Sequence, residues 1–253
     1  MKKAIDYTHI ADLYDTYVDT AFDIPFFLKE AKKTSGEVLE LMSGTGRVSI
    51  PLIEAGIRLT CIDNSPEMLA VLQKKLKQRC LSADMHEINI CKMSLDKEFE
   101  LIFIPFHSFA ELLSPADQRK ALRSIHQHLS ETGHFICTLH NPAVRLKRVN
   151  GKQRLIGEYP FDKHQRSLFL RISENYNPNI HIVNGLQIFE IRDNKGIIQS
   201  ETVLKIQFFL HTRNNFEELV KSEGFKVIAL YGDYSYAEFV ENSSPFMIWI
   251  LQK

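Results

Sequence analysis

The sequence predicts an α/β fold: an open, mostly parallel sheet with helices on both faces and a small antiparallel β insertion after the fifth strand. Three observations carry this. Between residues 38 and 141, apolar runs of strand length alternate with stretches of helical period. After Pro142 the pattern becomes residue-by-residue alternation, broken by Asn-Pro-Asn and Asp-Asn-Lys-Gly turns. From residue 212 a helix and two apolar strands return.

The elements follow in order. Ile10, Leu13, Tyr14, Tyr17 and Val18 share one helical face, and a second helix follows Pro25. Residues 38–42 form a strand, and 48–55 a helix that ends at Gly56. Residues 57–63 form the second strand. The next helix, 65–78, has Ser65 as N-cap, Pro66 at its first position and Glu67 in its first turn. A short third strand is expected to close at Asp84 in "SADM". Residues 99–106 are the fourth strand, 114–130 a Ser-Pro-initiated helix and 133–140 the fifth strand. Repeated units of this length require right-handed parallel crossovers. Residues 166–176, 180–192 and 197–211 alternate as an antiparallel meander. Thr212 then caps a helix that ends near Gly224, and the strands 226–234 and 245–253 close the chain. The expected organisation is one unit over 1–142 and 211–253, with a helical lid at 1–34, and the β insertion at 143–210.

Composition excludes several classes. Lys plus Arg and Asp plus Glu are both 31, so the 253-residue chain lacks the basic surplus of a nucleic-acid binder. No apolar run approaches the ~20 residues of a membrane span. The N-terminus has a basic start but no apolar signal-peptide centre. Cys61, Cys80, Cys91 and Cys137 form no Cys-x-x-Cys pair, which fits scattered thiols in a reducing cytoplasm. His126 and His128 are two apart in a helix and diverge, so no metal site is expected. Lys74, Lys75, Lys77 and Arg79 read as a solvated helix face. Arg145, Lys147, Arg148, Lys152 and Arg154 read as a solvated linker, with an anionic contact as the minority alternative.

The junction "VLELMSGTGR" is the informative stretch. Gly44 and Gly46 lie where the first core strand meets its helix. Ligands of open α/β sheets bind there, because glycine permits a tight turn and the helix start offers free N–H groups. A nucleotide P-loop would need a Lys that is absent here. A nicotinamide fingerprint would need a third glycine, and Ser49 stands in its place. What remains is Glu40 before the turn and Asp63 at the next strand's end, placed to hydrogen-bond ribose hydroxyls.

In this order the motifs resemble the class I S-adenosylmethionine-dependent methyltransferases. "VLELMSGTGR" is similar to the family's first motif, "CIDNSPEML" to the second and "SADM" to the adenine-side motif. "FELIFIPFHSFAEL" and "LSETGHFICTLHNP" are similar to the fourth- and fifth-strand motifs. The likeness covers roughly residues 35–141 and returns at 216–234. One departure is Met42, where many members have glycine.

The resemblance implies a Rossmann-like fold with a seven-stranded sheet, and it implies roles. Glu40, Met42, Gly44, Gly46 and Arg47 would surround the methionine end of the cofactor. Asp63 would hold the ribose, Asn64 and Met68 would flank the adenosine, and Asp84 and Met85 would bind the adenine. Phe106, His107 and Phe109 would face the sulfonium and the substrate. Tyr14 and Tyr17 resemble the family's lid helix. His107 first, then His140, are the candidate general bases, since both end strands at the substrate edge. The β insertion resembles the lid of small-molecule methyltransferases of the glycine N-methyltransferase type. The expected protein is a cytoplasmic enzyme, monomer or homodimer, that methylates a nitrogen or oxygen of a small molecule and releases S-adenosylhomocysteine. An RNA or protein methyltransferase, and a non-catalytic cofactor binder, are the alternatives.

Overall fold

A computed structural model describes residues 4–253. Residues 1–3 of the expected lid lie outside it. Two short helices open the chain, α1 (Ala11–Tyr17) and α2 (Ile24–Ala31), with Pro25 in the first turn of α2. Then come β1 (Val38–Leu41), α3 (Ser49–Glu54), β2 (Leu59–Asp63), α4 (Pro66–Gln78), β3 (Asp84–Glu87), β4 (Phe99–Ile104), α5 (Pro115–His128) and β5 (Leu129–His140). The single turn α6 (Pro142–Arg145) leads into β6 (Arg154–Pro160), β7 (Ser167–Asn177), β8 (Ile182–Arg192) and β9 (Ile198–Phe209). The chain closes with α7 (Arg213–Ser222), β10 (Lys226–Tyr231) and β11 (Phe246–Gln252).

Seven strands form one sheet in the order β10-β11-β5-β4-β1-β2-β3. Only β11 runs antiparallel to its neighbours. Strand order reverses between β1 and β4, which pair directly, so a crevice opens at their carboxyl ends. Both faces of the sheet are covered. Ala121, Leu122 and Ile125 of α5 and Phe216, Leu219 and Val220 of α7 bury one face. Phe26 and Phe27 of α2, Ile50 and Leu52 of α3, and Leu69, Leu72 and Leu76 of α4 bury the other. Phe27 stacks on Phe103 with centroids 4.8 Å apart, both rings fully enclosed. Each such ring contributes about 1.5–3 kcal/mol. Ser65 and Ser114 cap α4 and α5 through the N–H groups of Met68 and Asp117, as their Ser-Pro starts require.

The insertion is a second sheet, β6-β7-β8-β9, wholly antiparallel. Its inner face, Leu168, Leu170, Ile172, Phe189, Leu204 and Ile206, packs on Ile10 and the tyrosines of the N-terminal segment. The sequence anticipates three of these strands and misses β6. That strand holds Gly157, ends at Pro160 and stands at the sheet's edge, where proline is tolerated, so it carries turn signals rather than strand signals. The boundary between α5 and β5 also moves: the helix stops at His128 and the strand starts at Leu129.

Candidate active site

At the carboxyl edge of β1 and β2 the glycine loop is tied down from all sides. Asp63 accepts the Gly44 N–H on one oxygen and the Ser65 N–H on the other, each at 2.8 Å. Glu40 is buried and accepts the Ser49 hydroxyl at 2.6 Å. Ser49, the residue that spoils a nicotinamide fingerprint, is therefore the partner of the first-motif acid. Burial pushes Glu40 up to about 8, and the Ser49 bond opposes that shift. The two glycines do different work. A Cβ on Gly46, at φ +82°, would stand 2.2 Å from Leu72 Cδ1, so this glycine lets α4 close on the loop. A Cβ on Gly44, at φ +56°, would meet nothing within 4 Å, so the loop there faces open space. Met42 also has positive φ, 58°, as a residue in a glycine position must.

The N-terminal segment is strapped over this loop. Thr45 donates to Asp15 of α1 at 2.6 Å, and Lys75 of α4 pairs with the other Asp15 oxygen at 2.6 Å. Arg47 forms a two-pronged ion pair with buried Asp23, at 2.5 and 2.6 Å, and lies over the Phe106 ring at 4.6 Å. Arg47 and Lys75 thus serve the closure; Lys75 is not the free surface charge its sequence context implied.

The carboxyl edge of β4 and β5 is built otherwise. Phe106 and His107 have successive positive φ values of 55° and 65°, a strained pair at the strand's end. The His107 ring stacks on His140 with centroids 3.8 Å apart, and its Nδ1 is buried without a hydrogen-bond partner. Burial, with the Arg145 and Arg47 guanidiniums nearby, lowers His107 to about 3; burial and His107 lower His140 well below the usual range. Both imidazoles are neutral and weakly basic, which argues against either as general base. A cavity of about 210 Å³ lies over them, lined among others by Tyr7, Tyr14, Tyr17, Glu111, Arg145 and Glu174. Tyr14 packs edge-on against Tyr7 and Tyr17, and Tyr17 lies on Phe189 of the insertion. The Tyr7 hydroxyl donates to Glu111 at 3.0 Å. Glu174 is fully buried between Arg145 and Arg154, so that part of the basic patch is neither solvated nor linker.

Three expected residues fall elsewhere. Asp84 pairs in register with Thr60, at the start of β3, where Lys97 and His86 bind it and hold its carboxyl below the usual range. Met85 pairs with Cys61 and packs toward α4. Neither reaches the carboxyl edge, because β3 runs on to Glu87, opposite Asp63. The residues at that edge are Ile88, whose N–H bonds to Asp63 O, and Asn89, which caps the following turn. With Asn64 they line a groove of about 630 Å³. Phe109 is fully buried against His211 and Phe216 and does not face the cavity. Met68 is buried, with its N–H on Ser65. Tyr7, Glu111, Ile88 and Asn89 were missed. The one available sequence signal was Asn89, an Asx cap before a short turn.

A family model described as a methyltransferase domain matches residues 38–133. The glycine/sarcosine N-methyltransferase of Halorhodospira halochloris is 24% identical over 234 residues, covering 90% of this chain and 80% of the relative. The structure of the CcbJ methyltransferase from Streptomyces caelestis superposes with a TM-score of 0.82 at 18% identity, covering 99% of both chains. A sugar N-methyltransferase from Streptoalloteichus sp superposes at 0.74 with 14% identity, covering 96% of this chain and 92% of that one. The glycine loop with its two acids, the reversal of strand order above it and these likenesses agree: residues 38–133 match a methyltransferase domain, and the chain as a whole has the Rossmann-like fold of the solved methyltransferases.

Proposed function

We propose that the chain transfers a methyl group to a nitrogen or oxygen of a small molecule held in the cavity between the insertion sheet and the ends of β4 and β5. The observation that carries this reading is the cavity's small size and its aromatic lining. At about 210 Å³, lined by Tyr7, Tyr14 and Tyr17, it suits a small acceptor rather than a nucleic acid or a folded protein. The nitrogen acceptors in the names of the glycine/sarcosine and sugar enzymes support it.

The residues present fit the cofactor. Gly44 leaves open space where a ligand's approach needs it, and the buried Ser43 hydroxyl beside it lacks a partner. Glu40 would stand at the methionine end and Asp63 would hold the ribose, while also fixing the Gly44 amide. Asn64, Ile88 and Asn89 would take the adenosine end in place of Asp84 and Met85. Tyr14, Tyr17 and Phe106 would present aromatic surfaces to a cation. S-adenosylmethionine supplies an electrophilic methyl group on a sulfonium and is released as a neutral thioether. The protein's task is to hold the acceptor in line and exclude water, which can supply much of the acceleration. We read 1–142 with 211–253 as the cofactor unit and 143–210 as the acceptor lid. We place the enzyme in the cytoplasm as a monomer or homodimer without nucleic acid, in keeping with its zero net charge.

Transfer of label from S-adenosyl[methyl-³H]methionine to small amines, alcohols, bulk tRNA and a protein extract tests the reading. Label in the amine or alcohol fraction supports it. Label confined to tRNA or protein contradicts it.

A further inference from the structure

Within the cavity one acidic group stands apart. Glu174 is matched by Arg145 and Arg154, and the two histidines are neutral. Glu111 has no such match. It ends the short turn Ser108–Glu111 that follows β4, and it lines the cavity. One oxygen accepts the Tyr7 hydroxyl, and the charge acting on it, that of Asp63, is negative. Among the described residues no lysine, arginine or histidine makes an ion pair with it. A carboxyl held at a cavity wall without a cation takes up a proton, and it ionises there only when a cationic ligand completes the site.

We propose that Glu111 is the acceptor-binding acid: its carboxylate receives the acceptor nitrogen as an ammonium and takes one proton from it. This rests on the methyl-transfer reading above and narrows it to amines. The step balances. The proton passes from R–NH₃⁺ to the carboxylate, giving R–NH₂ and the carboxylic acid. The freed lone pair then forms the N–C bond, while the electrons of the C–S bond stay on sulfur. Burial pushes Glu111 up to about 8, against the weakening by Tyr7, which places it far closer to an amine than a surface glutamate would be. His107, lowered to about 3, cannot compete for that proton. Tyr7 is the positioning residue: it fixes one oxygen of Glu111 and joins the lid to the acceptor.

The test uses the full chain saturated with S-adenosylhomocysteine, at pH 7 and constant ionic strength. Methylammonium, methanol and acetate serve as probes, read by calorimetry and by the carboxyl resonance of Glu111. Methylammonium is expected to bind about tenfold more tightly than methanol, with acetate excluded, and to lower the Glu111 titration midpoint. Glu111→Gln should lose that preference about tenfold while keeping its S-adenosylhomocysteine affinity. Equal binding of methylammonium and methanol by the wild type would overturn the proposal, and this comparison decides even if the variant does not fold. An unchanged preference in a folded Glu111→Gln would overturn it too. Failure of the wild type to bind S-adenosylhomocysteine would instead remove the cofactor reading, and this proposal with it.

Discussion

The two halves of the crevice are built on opposite principles. At the ends of β1 and β2 the charged groups are matched: Asp63 by two backbone N–H groups, Glu40 by Ser49, Arg47 by Asp23, Asp15 by Thr45 and Lys75. At the ends of β4 and β5 they are not. His107 Nδ1 lacks a partner, Glu111 lacks a cation, and two successive residues sit in left-handed backbone. A surface that binds by fixed backbone donors can be finished before its ligand arrives. A surface that handles a proton keeps groups whose partner is the substrate.

Substitutions sharpen that contrast. Asp23→Ala should have the largest effect. It leaves the Arg47 guanidinium, with 12% of its side chain exposed, without its carboxylate and with the Thr20 carbonyl as its remaining acceptor, and loss of about 3–5 kcal/mol is expected in denaturant unfolding. Gly46→Ala comes next. Its Cβ would stand 2.2 Å from Leu72 at φ +82°, for about 2–4 kcal/mol of lost stability. Gly44→Ala should cost only about 1 kcal/mol, the backbone penalty alone, yet weaken S-adenosylhomocysteine binding far more than Gly46→Ala does. If Gly44→Ala binds normally, open space at that glycine does not mark the ligand's path.

The smallest effect is on pH dependence, and its sign follows from both halves. Glu40 and Glu111, raised to about 8, hold protons in the folded chain that the unfolded chain has released. Their contribution is complete below about pH 4.3 and is lost as pH rises toward 8. His107 and His211, lowered to about 3, act oppositely and only below about pH 6.5. Between about pH 6.5 and 8.5 the acids, joined toward the upper end by the raised thiols of Cys61, Cys91 and Cys137, act in one direction, so the melting temperature should fall. Glu40→Gln should flatten the fall. A rise in that interval would contradict the burial of these two acids.

The same contrast decided what the sequence made legible. The glycine edge is local: an apolar strand, a turn that needs glycine, a capped helix and an acid at the next strand's end all lie within a short span, so Glu40, Gly44, Gly46 and Asp63 could be placed. The end of β3 could not. "CLSADMHEINI" has no clear period, and the strand ends three residues later than its aspartate suggests, at Glu87, so Asn89 rather than Asp84 reaches the edge. The acceptor side depends on packing across long separations. Tyr7 meets Glu111 over 104 residues, and Arg145 meets Glu174 over 29. No local pattern announces such pairs. Phe109 fails for a related reason: in a single turn one residue's rotation separates the cavity from the core, and Phe109 turned inward beside Phe216.

The most direct measurement is calorimetric titration of the full chain with S-adenosylhomocysteine, NAD and ATP, repeated with Asp63→Ala. Binding of S-adenosylhomocysteine alone is expected. In the variant, which loses two charge-assisted bonds, it should weaken by about tenfold or more. Binding of NAD or ATP instead, or an Asp63→Ala variant that holds S-adenosylhomocysteine unchanged, would contradict the placement of the cofactor at the ends of β1 and β2.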